Sequence, residues 1–379
     1  MTGFAFQYGP RLLAGPGVST RIGELVSARH VLVVTDGQVR ALALADAMLD
    51  VLRCEGRSVT IFDAVEADPS RSTLEAAVEV GWGAEAVIGF GGGSPMDVAK
   101  LTAYLLGSGD DLDAIWGVGN AAGTGLPLVL VPTTAGTGSE ATPVAIISLP
   151  GGEKRGVSSS ALIAHHAVLD PTLTLGLPRH VTAATGIDAM VHAIEAYTSA
   201  HLKNPVSDML AKEALGLLSS HLLRACEVPD DIDARGAMLL GAHLAGVAFS
   251  NAPVAGVHAL AYPLGGRFHV PHGLSNALML PHVLGHNMQA AMPLYAELAP
   301  IVDPSLALLG GQARAQGLVE ALRGLSMAAG MPQRLREVGI GVEHLEMLAA
   351  DAMQQERLLR NNPCPIELAD AQRLYEAAL

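Results

Sequence analysis

Residues 84–100, AEAVIGFGGGSPMDVAK, combine an apolar run, three glycines and a helix-start pattern. The run at 84–90 is short and ends in turn residues, which predicts a buried strand. The glycines after it let the backbone approach a ligand closely. Ser94 is a good helix N-cap, Pro95 suits the first helical position, and Asp97 stands where a capping-box acid stands. We therefore predict a strand, a tight turn, and a helix whose free N–H groups can bind a pyrophosphate.

Three features support a cofactor interpretation, and each has a plain alternative. The glycine turn is not the GxGxxG fingerprint, so an ordinary strand-to-helix turn is the competing interpretation. Asp36 closes the strand predicted at 30–36, where an acid commonly binds a ribose hydroxyl and favours NAD over NADP; the alternative is a helix cap. The loop PTTAGTGSE at 132–140 follows another apolar strand and could wrap a cofactor or cap the next helix.

The rest of the chain divides into two patterns. In the first half, strands and helices alternate, which predicts a parallel, doubly wound, Rossmann-like α/β domain. The predicted strands are 30–36, 58–65, 84–90 and 126–134, and the predicted helices between them are 38–55 and 69–81. After residue 178 the β signal disappears, and 3.6-residue periodicity predicts an all-helical domain. Its helices are predicted at 183–199, 206–227, 232–249, 253–266, 273–288, 311–329, 343–352 and 366–379. We place the domains at 1–180 and 181–379.

Composition and charge disfavour several classes of protein. Half of the 379 residues are hydrophobic, so a large core can be buried. The formal net charge of −14 disfavours nucleic acid and anionic membrane surfaces as partners. Three cysteines without CxxC spacing, and no apparent signal peptide, fit a reducing cytoplasm. The uncharged stretch 236–266 is interrupted by histidine, asparagine and proline, so it predicts a buried helical core rather than a membrane span.

Histidines are concentrated in a part of the helical half with almost no charge. Between Arg235 and Glu297 there are six histidines and one charged residue, Arg267. Asp188 and His192 are four residues apart, which puts them on one face of a helix. With two further imidazoles, His258 and His272, they could bind Fe²⁺, Zn²⁺, Co²⁺ or Ni²⁺. A lone core histidine is usually a packing residue, and we apply that interpretation to His221, His243, His282 and His286.

Eight segments of the chain resemble the iron-containing, group III alcohol dehydrogenases. They are VVTDG (33–37), DPS (68–70), GFGGGSPMDVAK (89–100), VPTTAGTGSEAT (131–142), LDPTLTLGLP (169–178), ATGIDAMVHAIEAYTS (184–199), FSNAPVAGVHALAYPLGGRFHVPHGLSNALMLPHV (249–283) and NNPCPIELADAQRLYEAAL (361–379). The resemblance covers almost the whole chain. It implies the dehydroquinate synthase-like superfold: a dinucleotide-binding α/β domain, a helical metal-binding domain and a cleft between them. It also implies NAD(H)-dependent interconversion of a small primary alcohol, diol or hydroxy acid and its aldehyde.

The same resemblance assigns site residues. The metal ligands are expected at Asp188, His192, His258 and His272, with Fe²⁺ as the ion and Zn²⁺ as the alternative. The cofactor-binding residues are expected at Asp36, Gly92, Gly93, Ser94, Asp97, Thr133, Thr134, Ser139 and Lys154. We also expect a homodimer or higher homo-oligomer, and no nucleic-acid or membrane partner.

The chain departs from the family pattern at two positions near the expected pocket. Many members have a histidine four residues after the third ligand, whereas this chain has Tyr262. The tail motif usually reads NPR, whereas this chain has Cys364 after Pro363. Tyr262 and the ligand His272 are our catalytic candidates, with the alternative that the tyrosine only fills space.

Other functions remain open at this level. The superfold also includes glycerol and glycerol-phosphate dehydrogenases, dehydroquinate-synthase-like lyases and maleylacetate reductases. A phosphate substrate would need extra Lys and Arg in the helical domain, where Arg267 is the single example in the central stretch. A non-catalytic NAD- or metal-binding sensor is the alternative from another class.

Overall fold

The computed structural model describes residues 3–149 and 154–379. The chain forms two compact units. One is an α/β unit, Tyr8–Gly176, and the other is a helical unit of Leu177–Leu379 together with residues 3–7. The predicted fold class, a parallel-sheet α/β domain followed by an all-helical domain, is confirmed.

A six-stranded parallel sheet forms the centre of the α/β unit, and its strand order is β1-β9-β6-β4-β2-β3. A smaller sheet has the order β5-β8-β7, with β7 and β8 antiparallel. The strands are β1 Arg11–Ala14, β2 His30–Val34, β3 Ser58–Phe62, β4 Ala86–Gly91, β5 Gly117–Val118, β6 Leu128–Pro132, β7 Val144–Ser148, β8 Lys154–Ser158 and β9 His166–Leu169. All four predicted strands are present as β2, β3, β4 and β6. The other five were not predicted. β1, β5 and β9 have four residues or fewer, β1 and β5 are also largely exposed, and β7 and β8 are only partly buried.

Four α-helices accompany these strands: α1 Gly37–Ala41, α2 Asp46–Cys54, α3 Arg71–Val80 and α4 Gly93–Ser108. The prediction of a single helix at 38–55 is wrong, because the helix is interrupted between α1 and α2. Ala43 has a positive φ of 54° at that break, which ends a right-handed helix. The core lies on both faces of the sheet, as a doubly wound sheet requires.

The turn between β4 and α4 also differs from the prediction in one detail. The helix begins at Gly93 with Gly92 as its N-cap, so Ser94 lies inside the first turn and does not cap it. The small glycines allow this earlier start, and Gly91 takes a φ of 151° that other residues avoid. Asp97 makes no capping bond either, because its carboxylate is bonded elsewhere, as described below.

The helical unit contains α5 Arg179–Thr198, α6 Pro205–Glu227, α7 Ile232–Asn251, α8 Gly256–Phe268, α9 His272–Val302, α10 Gly311–Ala328, α11 Leu345–Met353, α12 Glu356–Leu359 and α13 Leu368–Ala378. Each of the eight predicted helices is present. The largest difference is α9, which continues 14 residues past its predicted end at 288 and contains Pro281, Pro293 and Pro300. Packing against α5 and α10 carries α9 past positions where proline alone predicts a break.

Within the described residues, no single helix is long and apolar enough to cross a membrane. The bent pair α7 and α8 passes the same test of length and composition when taken together, with a bend of 108° between its two helices.

Candidate metal centre and cofactor loop

Helix α5 supplies the first two side chains of the predicted metal centre. Asp188 and His192 lie one turn apart on its buried face, with exposed fractions of 2% and 5%. A buried carboxylate without a compensating charge or hydrogen bonds is costly, so its neighbours decide whether it is tolerated.

Two further helices bring imidazoles to the same point. His258 lies on α8 and is buried, whereas His272 is the first residue of α9, and its side chain is 43% exposed. The Nε2 atoms of His258 and His272 lie 3.9 Å and 3.5 Å from Oδ1 of Asp188. One ligand atom from each of the four predicted residues lies within 4.8 Å of all the others. The structure therefore brings the four predicted ligands together, and His272 is the one among them that solvent reaches.

The donor set fits a divalent first-row ion. Three imidazole nitrogens and one carboxylate oxygen, with no thiolate, suit Fe²⁺ and Zn²⁺. Burial opposes ionisation of Asp188, but the three histidines and Asn276 outweigh it and hold the pKa of that carboxyl below its usual value. The carboxyl is therefore ready to act as an anionic ligand.

Sequence reasoning missed Asn276, which lies one turn after His272 on α9. Its Nδ2 donates to Oδ1 of Asp188 at 2.6 Å and lies 3.1 Å from Nε2 of His258 and 3.3 Å from Nε2 of His272. Its Oδ1 is buried and has no hydrogen-bond partner among the described residues. Asn276 therefore adjoins three of the four ligand side chains. The signal available in the sequence was its spacing of four residues from His272, which puts both side chains on one face of a helix.

Glu195 is the second residue that was missed. It lies on α5, three residues after His192 and seven after Asp188, so the three share one helix face. Its carboxylate is buried and accepts hydrogen bonds from His258 and from the start of α8. The spacing i, i+4, i+7 in DAMVHAIE would have found it.

Aromatic rings border the cluster. Phe249 stacks on His192 with ring centroids 4.4 Å apart, and His192 stacks on His258 at 4.7 Å. The ring of Tyr262 lies 5.9 Å from that of His272, tilted by 54°. Tyr262 is thus on the side of α8 that faces the ligands, next to the exposed ligand.

The four histidines interpreted as packing residues lie outside the cluster. His221 and His286 have ring nitrogens 2.9 Å and 3.0 Å from the backbone oxygens of Leu217 and Pro365. Burial, helped by the charge of Arg323, lowers the pKa of His282 to about 4.

In the α/β unit, a buried polar network joins α4 to the loop after β6. Ser139 donates to Asp97 at 2.6 Å, and the backbone N–H of Ile146 donates to the same carboxylate at 3.0 Å. The ammonium of Lys100 donates to Ser139 at 2.8 Å, to Thr142 at 3.1 Å and to the carbonyl of Val144 at 2.7 Å. Burial raises the pKa of Asp97 and lowers that of Lys100, although their mutual attraction opposes both shifts.

The remaining cofactor candidates surround the glycine turn or lie apart from it. The backbone N–H of Thr133 donates to the carbonyl of Gly91 at 2.9 Å. A Cβ added at Gly92 would lie 3.7 Å from Thr134, and one added at Gly93 would lie 3.0 Å from Thr137. The glycine turn therefore lies against the loop at 132–140.

Asp36 and Lys154 have protein partners of their own. Asp36 is the N-cap of α1 and accepts from the N–H of Val39 at 2.8 Å. Its other carboxylate oxygen lies 3.3 Å from the position of a Cβ on Gly91, which places it beside the glycine turn. Lys154 is paired with Asp68 at 2.6 Å on the surface.

Comparison with known proteins agrees with this geometry. Residues 9–171 match the family described as iron-containing alcohol dehydrogenase, and residues 182–379 match the C-terminal part of the Fe-containing alcohol dehydrogenase family. The chain belongs to the iron-containing alcohol dehydrogenase family.

Three similar proteins illustrate the family. A long-chain-alcohol dehydrogenase of Geobacillus thermodenitrificans is 42% identical over 93% of this chain and 90% of its own. An NAD-dependent methanol dehydrogenase of Bacillus methanolicus is 31% identical over 98% of both chains. The crystal structure of a 1,3-propanediol oxidoreductase superimposes with a TM-score of 0.95 at 31% identity, covering all of both chains. This chain is therefore an enzyme of the alcohol dehydrogenase class.

Proposed function

We propose that this protein interconverts a small primary alcohol, a diol or a hydroxy acid with its aldehyde, using NAD(H). The convergence of Asp188, His192, His258 and His272 within 4.8 Å carries the proposal. An ion held by these four residues, Fe²⁺ or alternatively Zn²⁺, would act as a Lewis acid toward the alcohol or aldehyde oxygen.

The chain's own side chains orient and shield the reacting groups. Asp188 supplies the negative charge that holds a divalent cation in a buried position. His272 is the exposed ligand, so we propose that substrate approaches on its side, beside the ring of Tyr262. We propose that Tyr262 hydrogen-bonds the substrate oxygen or a water that carries its proton, and that Phe249 keeps water from the far side of His192.

We propose that the α/β domain, residues 1–180, binds NAD and that residues 181–379 bind the metal and the alcohol. We assign pyrophosphate binding to the N–H groups at the start of α4, at Gly92, Gly93 and Ser94, because the N-terminus of a helix favours an anion. The N–H of Thr133 donates to Gly91, and Thr134 lies 3.7 Å from where a Cβ on Gly92 would be, which supports the place of both threonines in the cofactor site. Asp97 and Ser139 are bonded to each other, so we assign them to fixing the loop against α4.

The other cofactor candidates are proposed with specific roles. Asp36 lies beside the glycine turn, which supports ribose binding in addition to its capping bond. Lys154 contacts the cofactor only if it leaves Asp68. We further propose a cytoplasmic homodimer or higher homo-oligomer.

A phosphorylated substrate is not favoured. Arg267 is the only Lys or Arg between residues 236 and 296. It is already paired with Asp351 through two hydrogen bonds, at 2.6 Å and 3.1 Å. This part of the chain therefore offers no unpaired cation to a substrate phosphate.

The deciding experiment is anaerobic removal and return of the metal. The chelated protein should bind NADH but reduce no aldehyde, since the metal ligands and the glycine turn lie in different units. Loading with Fe²⁺ or Zn²⁺ should restore turnover against a panel of aldehydes of increasing chain length. A metal-free protein that reduces aldehydes at the full rate would overturn the proposal, as would a metal-loaded protein that turns over none of the panel.

A further inference from the structure

Glu195 receives three N–H groups in a buried position beside the metal cluster. Its two carboxylate oxygens accept from the backbone of Ala255 at 2.9 Å and of Val257 at 2.7 Å, and one of them lies 2.6 Å from Nδ1 of His258. Its exposed fraction is 3%. A buried carboxylate needs this kind of hydrogen bonding, and here it is supplied by a single turn of another helix.

The reason for this arrangement lies at the start of α8. The helix begins at Gly256, and its N-cap, Ala255, has no side chain that can cap it. Free N–H groups at a helix start need an acceptor and favour a negative charge. Glu195 provides both from α5, so the helix that bears Asp188 and His192 also fixes the start of the helix that bears His258.

The contacts at both ends of the His258 ring fix its tautomer. Glu195 already accepts two backbone N–H groups, and a carboxylate in that role acts as an acceptor, so Nδ1 must donate. At the other end, Nε2 faces Nδ2 of Asn276 at 3.1 Å, and that nitrogen is a donor. The amide cannot be reversed, because its oxygen would then meet the carboxylate of Asp188 at 2.6 Å. His258 is therefore protonated at Nδ1 and presents the lone pair of Nε2 to the cluster.

We propose that Glu195 is a positioning residue, which holds His258 as its Nδ1–H tautomer and fixes α8 against α5 so that Nε2 points at the metal position. The consequence for metal binding rests on the proposed function, whereas the tautomer does not. Metal-ligating histidines commonly donate their other N–H to a carboxylate, and loss of that partner weakens metal binding.

The first test measures metal affinity rather than turnover. Co²⁺ is titrated anaerobically into metal-free wild type, Glu195→Gln and Glu195→Ala, in competition with a chromophoric chelator. The amide of Gln keeps the size of Glu but must turn an NH₂ toward at least one of the three donors. We expect affinity to fall about ten- to a hundredfold in both variants, with an altered Co²⁺ visible spectrum.

The matched control is Asn204→Ala. Asn204 is also buried and caps a helix of the same unit, accepting from the N–H of Ser207 at 2.9 Å, and its amide donates to Leu202 and Ser207. Its loss should lower thermal stability and leave Co²⁺ affinity and spectrum unchanged. Wild-type affinity and spectrum in Glu195→Gln would overturn the proposal, and so would an equal loss of affinity in Asn204→Ala.

The second test observes the tautomer directly. In ¹⁵N-histidine-labelled metal-free protein, the His258 signals are assigned by their loss in His258→Ala, and the proton should reside on Nδ1. Glu195→Ala should abolish this preference. A wild-type His258 protonated at Nε2 would refute the inference even if the protein binds metal well. Conversely, wild type that binds no Co²⁺ but shows the Nδ1–H form would refute the proposed metal chemistry and leave the role of Glu195 standing.

Discussion

The metal centre and the cofactor loop contrast in what their predicted side chains contact. In the helical unit, the four predicted ligands come from α5, α8 and α9 and point at one another. In the α/β unit, Asp97 and Ser139 are bonded together, Asp36 caps α1, and Lys154 is paired with Asp68. The first set gathers three imidazoles around one carboxylate, whereas the side chains of the second set are hydrogen-bonded or ion-paired with protein groups.

The difference follows from the two kinds of ligand. A cation needs several side-chain donors within a few ångströms, so its site is visible as charged and imidazole groups gathered in an apolar domain. A pyrophosphate is bound mainly by backbone N–H groups, and any sequence with a tight glycine turn can present them. Side chains around such a turn can therefore be structural even when the turn binds the cofactor.

The largest expected effect is loss of a metal ligand. His258→Ala and His272→Ala should each lose bound metal and reduce kcat/KM by about a thousandfold or more, since the ion supplies several kcal/mol. His201→Ala, an exposed histidine of the same unit, is the control and should change neither. Metal content is measured by elemental analysis beside the kinetics. If both ligand variants retain stoichiometric metal, His258 and His272 are not the metal ligands.

A smaller effect is expected at Asp36, where the two interpretations of the α/β unit can be separated. Asp36→Ser keeps a residue that can cap α1 but removes the negative charge. It should shift the NAD/NADP ratio of kcat/KM toward NADP by about 1–3 kcal/mol, since a hydrogen bond to a charged group and a like-charge repulsion are lost together. Asp36→Gly should give the same shift. If neither variant moves the ratio, Asp36 is a helix cap alone.

Next in size is the glycine turn itself. Gly92 has a φ of −77°, and an added Cβ would meet no protein atom nearer than 3.7 Å, so Gly92→Ala should fold normally. Its methyl group would hinder close approach of a phosphate, and we expect the Kd for NADH to rise at least about tenfold, or about 1.4 kcal/mol. Gly176→Ala, with open space around it and no positive φ, is the control. Unchanged NADH binding in Gly92→Ala would place the pyrophosphate elsewhere.

Sequence patterns predicted most of the fold because burial leaves a hydrophobic signal, periodic in the helices and continuous in the inner strands. The inner strands β2, β4 and β6 are almost fully buried and read as continuous apolar runs. The edge strand β1 has three exposed residues out of four and gave no such signal. The break at Ala43 depends on a single backbone angle that neighbouring residues did not indicate.

The site was predictable where residue type alone indicates chemistry. Histidines in a nearly uncharged helical stretch indicated a metal site, and the family pattern assigned the four candidate ligands, which the structure brings within 4.8 Å of one another. Glu195 and Asn276 were missed because a single acid or amide on a helix is ordinary until a neighbouring helix start or ligand is known to face it. Positioning residues of this kind are defined by contacts between helices. The sequence shows their spacing along one helix but not which neighbouring helix they contact.

The smallest predicted effect concerns Tyr262, which adjoins the exposed ligand. Its ring lies 5.9 Å from that of His272, so both a packing role and a hydroxyl role agree with its position. Tyr262→Phe keeps the ring and deletes the hydroxyl, and a catalytic hydroxyl should cost about tenfold in kcat. Because a phenol has a reference pKa near 10, against about 6.5 for imidazole, we also expect an alkaline optimum for alcohol oxidation.

Tyr262→Leu completes the comparison by removing the ring as well. If the tyrosine only fills space, Phe should retain the wild-type kcat and pH profile, while Leu should lower thermal stability through lost packing. If the hydroxyl acts on substrate, Phe and Leu should share the loss of kcat, and KM should change less than kcat. The pair of variants therefore decides whether this chain has replaced the usual histidine by another polar group, or has left that position of the metal centre to packing.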